Sequence, residues 1–493
     1  MHNPTAERRY SSIIEPLQER RFREAERAAM DEIGRSPLVP QPWVLLGEAL
    51  LHQGFGRAAK RAFDRAWLLD PQATWVARVD GLLKRAPDGP ARPDVERLLE
   101  CRRPTVTIGI IARDEERTIA RCLASVQGAA DAVVLVDCGS KDRTAEIAAS
   151  YPDVTIVPAE WQDDFAALRN AGLAHMKTDW VLWVDADEAL HPDDRPAVRE
   201  VAGLYDELEI PPILHVWQIN SIAGATQHEF AQTRMFPLRF GLRYHGRVHE
   251  QVGPEGGLYD GHSYRKPVRI RLLHDGYEPD VVKRKDKIKR NLRLLERMVA
   301  EQPDDPGWWL FYARESWADG REEQALHALR QAEEKAAGEP RFGRLPDVHT
   351  MRAKLHASRN ELDEAERAAA KALAVDDTFP DAKFWMAAIK LRQAHRLQRE
   401  AEALLRESKE AMASYRGVVS PDAEIARWKA DLSLADIARS VGKFADAAYM
   451  YERLAELNPD VAHIRKPLAR TKEQLAKLDA WRASRRHGAG EAP

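Results

Sequence analysis

A helix-turn-helix schedule recurs toward both ends of this 493-residue chain and breaks off in between, and that alternation bounds the fold more tightly than any other feature. In PQPWVLLGEALLHQGFGRAAKRAFDRAWLLDP, Pro40 to Pro71, the residues Trp43, Leu46, Gly47, Leu50, Ala59, Phe63, Ala66 and Pro71 keep helical spacing around a turn at Gly54. Small Gly47 and Ala59 let two helices approach, while Trp43 and Phe63 fill the volume left over. A weaker copy precedes it at Arg20, Ala25, Ala29 and Pro37. One such pair cannot bury its own apolar face, so neighbours must stack on it.

The schedule returns at Trp309, Tyr312, Ala313, Gly320, Ala325, Leu329 and Ala332, and again at Ala353, Asn360, Ala365 and Ala372. It is looser from Phe384 to Leu405, and clear once more at Leu434, Ala435, Gly442, Ala447, Tyr451 and Pro459. These segments resemble tetratricopeptide repeats. They predict N-terminal helices over 1–92, a longer helical array over 278–482, and a frayed tail over 483–493.

Between Pro104 and about Tyr277 the period changes. TVTIGIIA (Thr105 to Ala112), AVVLVD (Ala132 to Asp137), VTIVPA (Val154 to Ala159) and WVLWVD (Trp180 to Asp185) are short β-branched runs separated by helix-like stretches. Such alternation implies a parallel sheet covered on both faces, with ligands at the carboxyl ends of the strands. That rim gathers RDEE, DCGSKD and DADE.

Bulk composition narrows the function classes. Lys+Arg 75 almost balances Asp+Glu 78, so nothing demands a nucleic-acid or membrane-surface partner. The three cysteines, Cys101, Cys122 and Cys138, have neither disulfide nor zinc spacing and fit a reducing compartment. MHNPTAERRYSSIIEP lacks the apolar core of a signal peptide, and no window reaches the ~20 apolar residues of a membrane span, so a cytoplasmic location is expected.

The acids at the end of WVLWVD carry the chemistry. Asp185, Asp187 and Glu188 crowd the tip of a buried strand, where unpaired charges repel unless a cation lies among them. Hard oxygen ligands in a small cluster suit Mg²⁺ or Mn²⁺, ions that bridge protein to phosphate.

TIGIIARDEERTIARCLASV, VVLVDCGSKDRTAEIA and FAALRNAGLAHMKTDWVLWVDADE together resemble the family 2 glycosyltransferases of GT-A fold, in order and separation, over roughly Val106 to Tyr277. The resemblance implies an α/β domain of Rossmann-like nucleotide-diphospho-sugar transferase type, flanked here by all-α repeats. It also implies a nucleotide-sugar donor and direct displacement with inversion. By it, Asp114 lies beside the nucleotide base, Asp137 meets base or ribose, Arg169 lies near the phosphates, Asp187 ligates the metal, and Asp185 shares metal and ribose.

Beyond Glu188, TRMFPLRFGLRYHGRVHEQV with Arg234, Phe236, His249 and Glu250, and RIRLLHDGY with His274, are similar to a subgroup carrying R-x-F, V-H-E and H-x-G-Y. Inverting transfer needs a proton acceptor. Glu250 is the expected base with His249 behind it, and His274 is a candidate metal ligand. In WQDDFA, Asp163 or Asp164 is read as the cap of the helix carrying Arg169. KRKDKIK, Lys283 to Lys289, is read as a solvated helix face.

A dehydrogenase would need glycines where RDEE stands, and a nucleotidyltransferase a Gly-rich basic loop. A repeat scaffold around a relic domain is the rival from another class, opposed by the joint presence of Asp137, Arg169, Asp185 and Asp187. Helical arrays suit an extended polypeptide, so a peptide or protein acceptor is expected ahead of a glycolipid or lipopolysaccharide, with self-association through the repeats as a further expectation.

Overall fold

The computed structural model describes residues 9–222, 225–275 and 281–488. The tail beyond 488, Gly276 and Tyr277 of the H-x-G-Y motif, and the side chains of 281–286 lie outside the described residues. The chain divides into two compact units, 1–343 and 344–493.

The first unit opens with helices α1 (Ser11–Gln18), α2 (Phe22–Arg35), α3 (Pro40–His52), α4 (Gly56–Leu69), α5 (Val76–Leu83) and α6 (Pro93–Leu99). The repeat schedule is realised in α3 and α4. Trp43 and Phe63 are buried, Gly54 turns with φ +80°, and a Cβ on Gly47 would stand 2.8 Å from the Phe63 ring.

Next come β1 (Val106–Ala112), α7 (Ile119–Val126), β2 (Ala132–Asp137), α8 (Thr144–Ala149), β3 (Val154–Pro158), α9 (Phe165–Leu173) and β4 (Trp180–Asp185). The four strands pair in parallel in the order β3-β2-β1-β4. Every residue from Trp180 to Val184 is buried, which is why these strands are continuous apolar runs rather than alternating ones.

The rest of the sheet departs from the parallel expectation. After β5 (Glu188–Leu190) and α10 (Arg195–Tyr205), the chain forms a long hairpin, β6 (Pro212–Ile222) and β7 (Ala225–Pro237). A small antiparallel pair follows, β8 (Arg243–His245) with β9 (Gln251–Gly253), and then β10 (Tyr264–Asp275). β7 joins β4 antiparallel and the sheet continues β7-β6-β10-β5, so the eight strands are mixed. No helix separates β6 from β7, so they close as a hairpin without the crossover that parallel pairing requires. A parallel half with crossover helices, extended by these added strands, is the GT-A arrangement.

The N-terminal helices clasp this sheet. Arg65 of α4 is buried, its Nε 2.8 Å from Glu200 of α10 and its Nη2 donating to the Leu99 carbonyl at 2.7 Å. Trp67 lies beneath the guanidinium groups of Arg269 and Arg271, at 4.5 and 5.3 Å.

Three further helices belong to the first unit: α11 (Val281–Glu301), α12 (Pro306–Ala318) and α13 (Glu322–Ala336). The second unit holds α14 (Leu345–Ser358), α15 (Leu362–Val375), α16 (Pro380–Ser414), α17 (Ala430–Ser440), α18 (Phe444–Leu457) and α19 (Arg465–Gly488). The loose repeat expected from Phe384 to Leu405 is instead one uninterrupted 35-residue helix, α16. Its interior offers neither Gly nor Pro to stop it and is dominated by Ala, Leu, Arg, Lys and Glu, all strong helix formers. Among the described residues no helix is long and apolar enough to cross a membrane.

Candidate active site

Three acids close β4, and the fold gives each a different partner. Glu188 turns inward: Oε2 accepts the Asp185 backbone N–H at 2.9 Å and Oε1 accepts Gln218 Nε2 at 2.5 Å. Burial pushes its carboxyl above the ordinary range, against the pull of Arg234. Asp185 faces two guanidinium groups. Arg234 donates from Nη1 to Oδ1 at 2.7 Å and from Nη2 to Oδ2, and Arg169 Nη2 reaches Oδ1 at 3.0 Å. Burial alone would raise this carboxyl, but Arg234 and then Arg169 hold it far below the usual carboxylate range. Both oxygens of Asp185, expected to share a metal, are therefore turned to arginines.

Asp187 stays at the rim, its side chain 46% exposed, with its backbone carbonyl anchored by Arg121 Nη2 at 2.8 Å. Its Oδ2 stands 3.2 Å from His274 Nε2. Sheet register sets this meeting, because His274 on β10 is level with Asn220 on β6 and Glu188 on β5. The Asn220 Oδ1, 2.9 Å away, accepts the imidazole Nδ1–H and so directs the Nε2 lone pair at Asp187. Two acceptors facing each other need a proton or a cation between them. In the protein alone a proton serves: the bond to Asp187 holds the imidazole above its ordinary value, with burial opposing.

The same separation suits a metal. Neighbouring ligands on an ion held at about 2.1–2.2 Å stand roughly 3 Å apart. Among the described residues no group of three or more His, Cys, Asp and Glu could hold an ion. The pair thus fits an ion that brings most of its ligands with a substrate, as Mg²⁺ and Mn²⁺ do with phosphates.

Asp114 and Asp137 are brought together by the loop after β2. The Asp114 backbone N–H donates to Ser140 Oγ at 3.1 Å and its Oδ1 accepts the Lys141 N–H at 2.7 Å, while Asp137 Oδ1 accepts Ser140 Oγ at 2.5 Å. Asp114 adopts φ +55°, a left-handed conformation that short polar side chains tolerate. Just before α8 the Thr144 N–H donates to Asp142 at 2.9 Å, while Asp137, at the end of β2, accepts the Ser140 N–H at 3.2 Å. Asp164 caps α9 through the Ala167 N–H at 2.8 Å, while Asp163 takes Arg293 at 3.0 Å.

Arg169, expected near phosphates, is buried between Trp183 and Tyr244, with ring centroids 5.1 and 5.2 Å away. Besides Asp185 it binds Glu250, Nε to Oε1 at 2.8 Å. Its buried Nη1 finds no hydrogen-bond partner among the described residues.

Glu250 and His249 lie on the loop between β8 and β9, and the first helices of the array hold that loop. His249 has φ +54°, stacks on Phe311 of α12 at 5.0 Å, and sets Nε2 2.8 Å from Glu315 Oε1. Asn291 of α11 donates to the same Glu315 oxygen at 3.2 Å. Gly246, φ +93°, lies so close to Trp308 that a Cβ there would stand 2.6 Å from the ring. The VHE motif is therefore set by α11 and α12 as much as by the sheet.

Four partners escaped sequence reading: the bidentate hold of Arg234 on Asp185, Gln218 beneath Glu188, Asn220 behind His274, and Glu315. Arg234 belonged to a quoted motif, but its partner is 49 residues away, and Glu315 is 66 residues from His249. Only tertiary folding joins them.

Residues 107–206 match the model of glycosyl transferase family 2. The chain is 30% identical over 233 residues to the SPbeta prophage-derived glycosyltransferase SunS of Bacillus subtilis (strain 168), covering 46% of this chain and 53% of that protein. Over 207 residues it is 30% identical to a TPR repeat-containing protein of Synechococcus elongatus, covering 41% and 49%. Over 164 residues it is 30% identical to the lipopolysaccharide core biosynthesis glycosyltransferase LpsC of Rhizobium meliloti, covering 30% and 57%. The chain spans about half the length of the curated relatives it matches. The matched segment contains Asp114, Asp137, Arg169, Asp185 and Asp187, whereas Arg234, His249, Glu250 and His274 lie beyond it.

Proposed function

We propose that this chain, which carries a family 2 glycosyltransferase domain at residues 107–206, is a metal-dependent inverting glycosyltransferase. It takes a sugar from a nucleotide-sugar, favoured to be a UDP-hexose, and passes it to a peptide or protein. One observation carries the reading: Asp187 and His274 meet at 3.2 Å at the strand rim, with Asn220 orienting the imidazole.

Asp187 and His274 would hold the ion, which when bound would supply positive charge to offset that of the diphosphate. The imidazole makes Mn²⁺ the better fit, since Mg²⁺ prefers oxygen throughout. The remaining work falls to the chain itself. Asp114 and Asp137, tied through Ser140, frame the base and ribose. Arg234 and Arg169 keep Asp185 ionised beside the ribose and fix the turn that presents Asp187. Glu250 takes the acceptor proton, with His249 the alternative. Because Arg169 binds both Asp185 and Glu250, it links the donor side of the crevice to the base at fixed spacing.

Peptide or protein acceptors suit the extended surfaces of helical repeats. The name of the LpsC relative favours a second reading, a lipopolysaccharide or glycolipid acceptor. A cytoplasmic setting would keep Cys101, Cys122 and Cys138, all unpaired, reduced. A donor-hydrolysis panel over UDP-, GDP- and TDP-sugars with and without Mn²⁺ tests the activity: metal-dependent turnover of one nucleotide class is expected, and no turnover of any donor overturns it. Intact-mass analysis of co-expressed candidate peptides beside glycolipid assays decides the acceptor. Hexose addition to glycolipid alone would sink the peptide reading.

A further inference from the structure

The long helix α16 carries large apolar side chains that the described residues of its own unit leave mostly exposed. On its inner side Ala382 and Ile389 are buried, and Trp385 and Met386 pack against alanines of α14 and α15. On its outer side Phe384, Leu391, Leu397 and Leu404 are 66%, 65%, 59% and 64% exposed, interleaved with exposed Ala387, Ala394 and Ala401. Four large apolar side chains on one helix are far more than the scattered single ones a surface carries.

The order of these residues is the informative part. Phe384 and Leu404 each stand ten residues from Ala394, Ala387 and Ala401 seven, and Leu391 and Leu397 three. The stripe reads the same in both directions, alternating large and small about Ala394. In an isologous interface centred at Ala394 each residue meets its own symmetry mate or the residue mirrored across the axis, so this order sets large beside large and small beside small along the whole contact. A different protein on this face would impose no such palindrome.

Charge is complementary about nearly the same point: Lys383 and Glu407, and Lys390 and Glu400, are mirrored about position 395, one residue from Ala394. Lys383 and Lys390 stand one residue before Phe384 and Leu391, and Glu400 and Glu407 three residues after Leu397 and Leu404. Both offsets fall on the same flank of a helix. A perpendicular two-fold lays that flank along itself in reverse, so Lys383 meets Glu407 of the second copy and Lys390 meets its Glu400. Within one chain Lys390 also reaches Glu366 of α15, and Glu400 lies 3.8 Å from Arg396.

We propose that α16 is the interface of an antiparallel homodimer, the two helices crossing at Ala394. The stripe takes six steps over twenty residues, a repeat shorter than the 3.6 residues of a helical turn. It therefore winds left-handed, and the helices wrap left-handed around each other with Leu391, Ala394 and Leu397 at the centre.

Light scattering on the full chain coupled to size exclusion should return the mass of two chains. The Leu391→Glu, Leu397→Glu double variant should return one, with circular dichroism unchanged because both sites are exposed. Lys390→Glu should weaken dimerisation by roughly tenfold, and adding Glu400→Lys should restore it. Ala394→Cys should cross-link to its own copy on oxidation, whereas Arg399→Cys, on the opposite face, and the parent chain should not. A monomeric parent chain, a dimer that survives the double variant, or equal cross-linking through Cys at 394 and 399 would overturn the proposal.

Discussion

Asp185 and Asp187 stand two residues apart and do different work. Asp185 is the counter-ion of two buried arginines, and Asp187 is the acid left facing the crevice. Asp187→Asn should lower Mn²⁺-dependent donor affinity by more than Asn220→Ala, for which the loss of a supporting partner predicts about 10–100-fold. Calorimetry on both variants checks the ranking. Arg234→Met should cost about 2–3 kcal/mol in urea unfolding, below the usual penalty for breaking a buried pair because Asp185 keeps Arg169 and is partly exposed. The His274 imidazole is raised by its bond to Asp187, so it holds its proton to a higher pH than a free histidine. In the metal-free protein that pair stabilises the fold below the ordinary histidine value, and its contribution fades as pH rises through the raised one. Metal needs the deprotonated imidazole, so Mn²⁺ affinity should fall as pH drops through the window above 6.5, and His274→Gln should flatten the profile. The acids at the end of WVLWVD were legible because a buried apolar strand ending in charge is locally anomalous. Their sorting was not, because the arginines that claim Asp185 come from α9 and β7.

At the level of elements, the VHE loop depends on helices that a boundary at residue 277 would assign to another domain. Gly246→Ala should push the loop off Trp308, costing about 1–3 kcal/mol in thermal unfolding and lowering turnover with it. Glu315→Gln keeps the shape and removes the charge beside His249. Turnover should fall by about tenfold with donor KM and circular dichroism unchanged. A Glu315→Gln enzyme as fast as the parent would show that His249 contributes packing alone. β1 to β4 were readable because burial on both faces makes an unbroken apolar run. The β6-β7 hairpin was not, because its exposed outer portion is largely polar and carries no turn signal as strong as Asn-Gly. α16 misled for the opposite reason: its alanines sit at repeat-like steps, but nothing breaks the helix between them.

Over the whole molecule, the compact unit 1–343 joins the N-terminal helices, the mixed sheet and α11 to α13, so the VHE loop and its supports belong to one unit. A chain cut after 343 should retain Mn²⁺-dependent donor binding, and one cut after 280 should lose it along with Phe311 and Glu315. Equal binding by both fragments, measured by calorimetry, would remove α11 and α12 from the active site. The repeat schedule made the helical ends legible from small-residue spacing, and the same spacing left the unit boundary unmarked. The most direct test is titration of a UDP-sugar into the intact protein with Mn²⁺, with a chelator, and with Asp187→Asn. Uptake with Mn²⁺ that disappears in both other arms is the expected result. A UDP-sugar bound equally well in all three would mean that the carboxylate and imidazole at the strand rim hold no ion for the diphosphate.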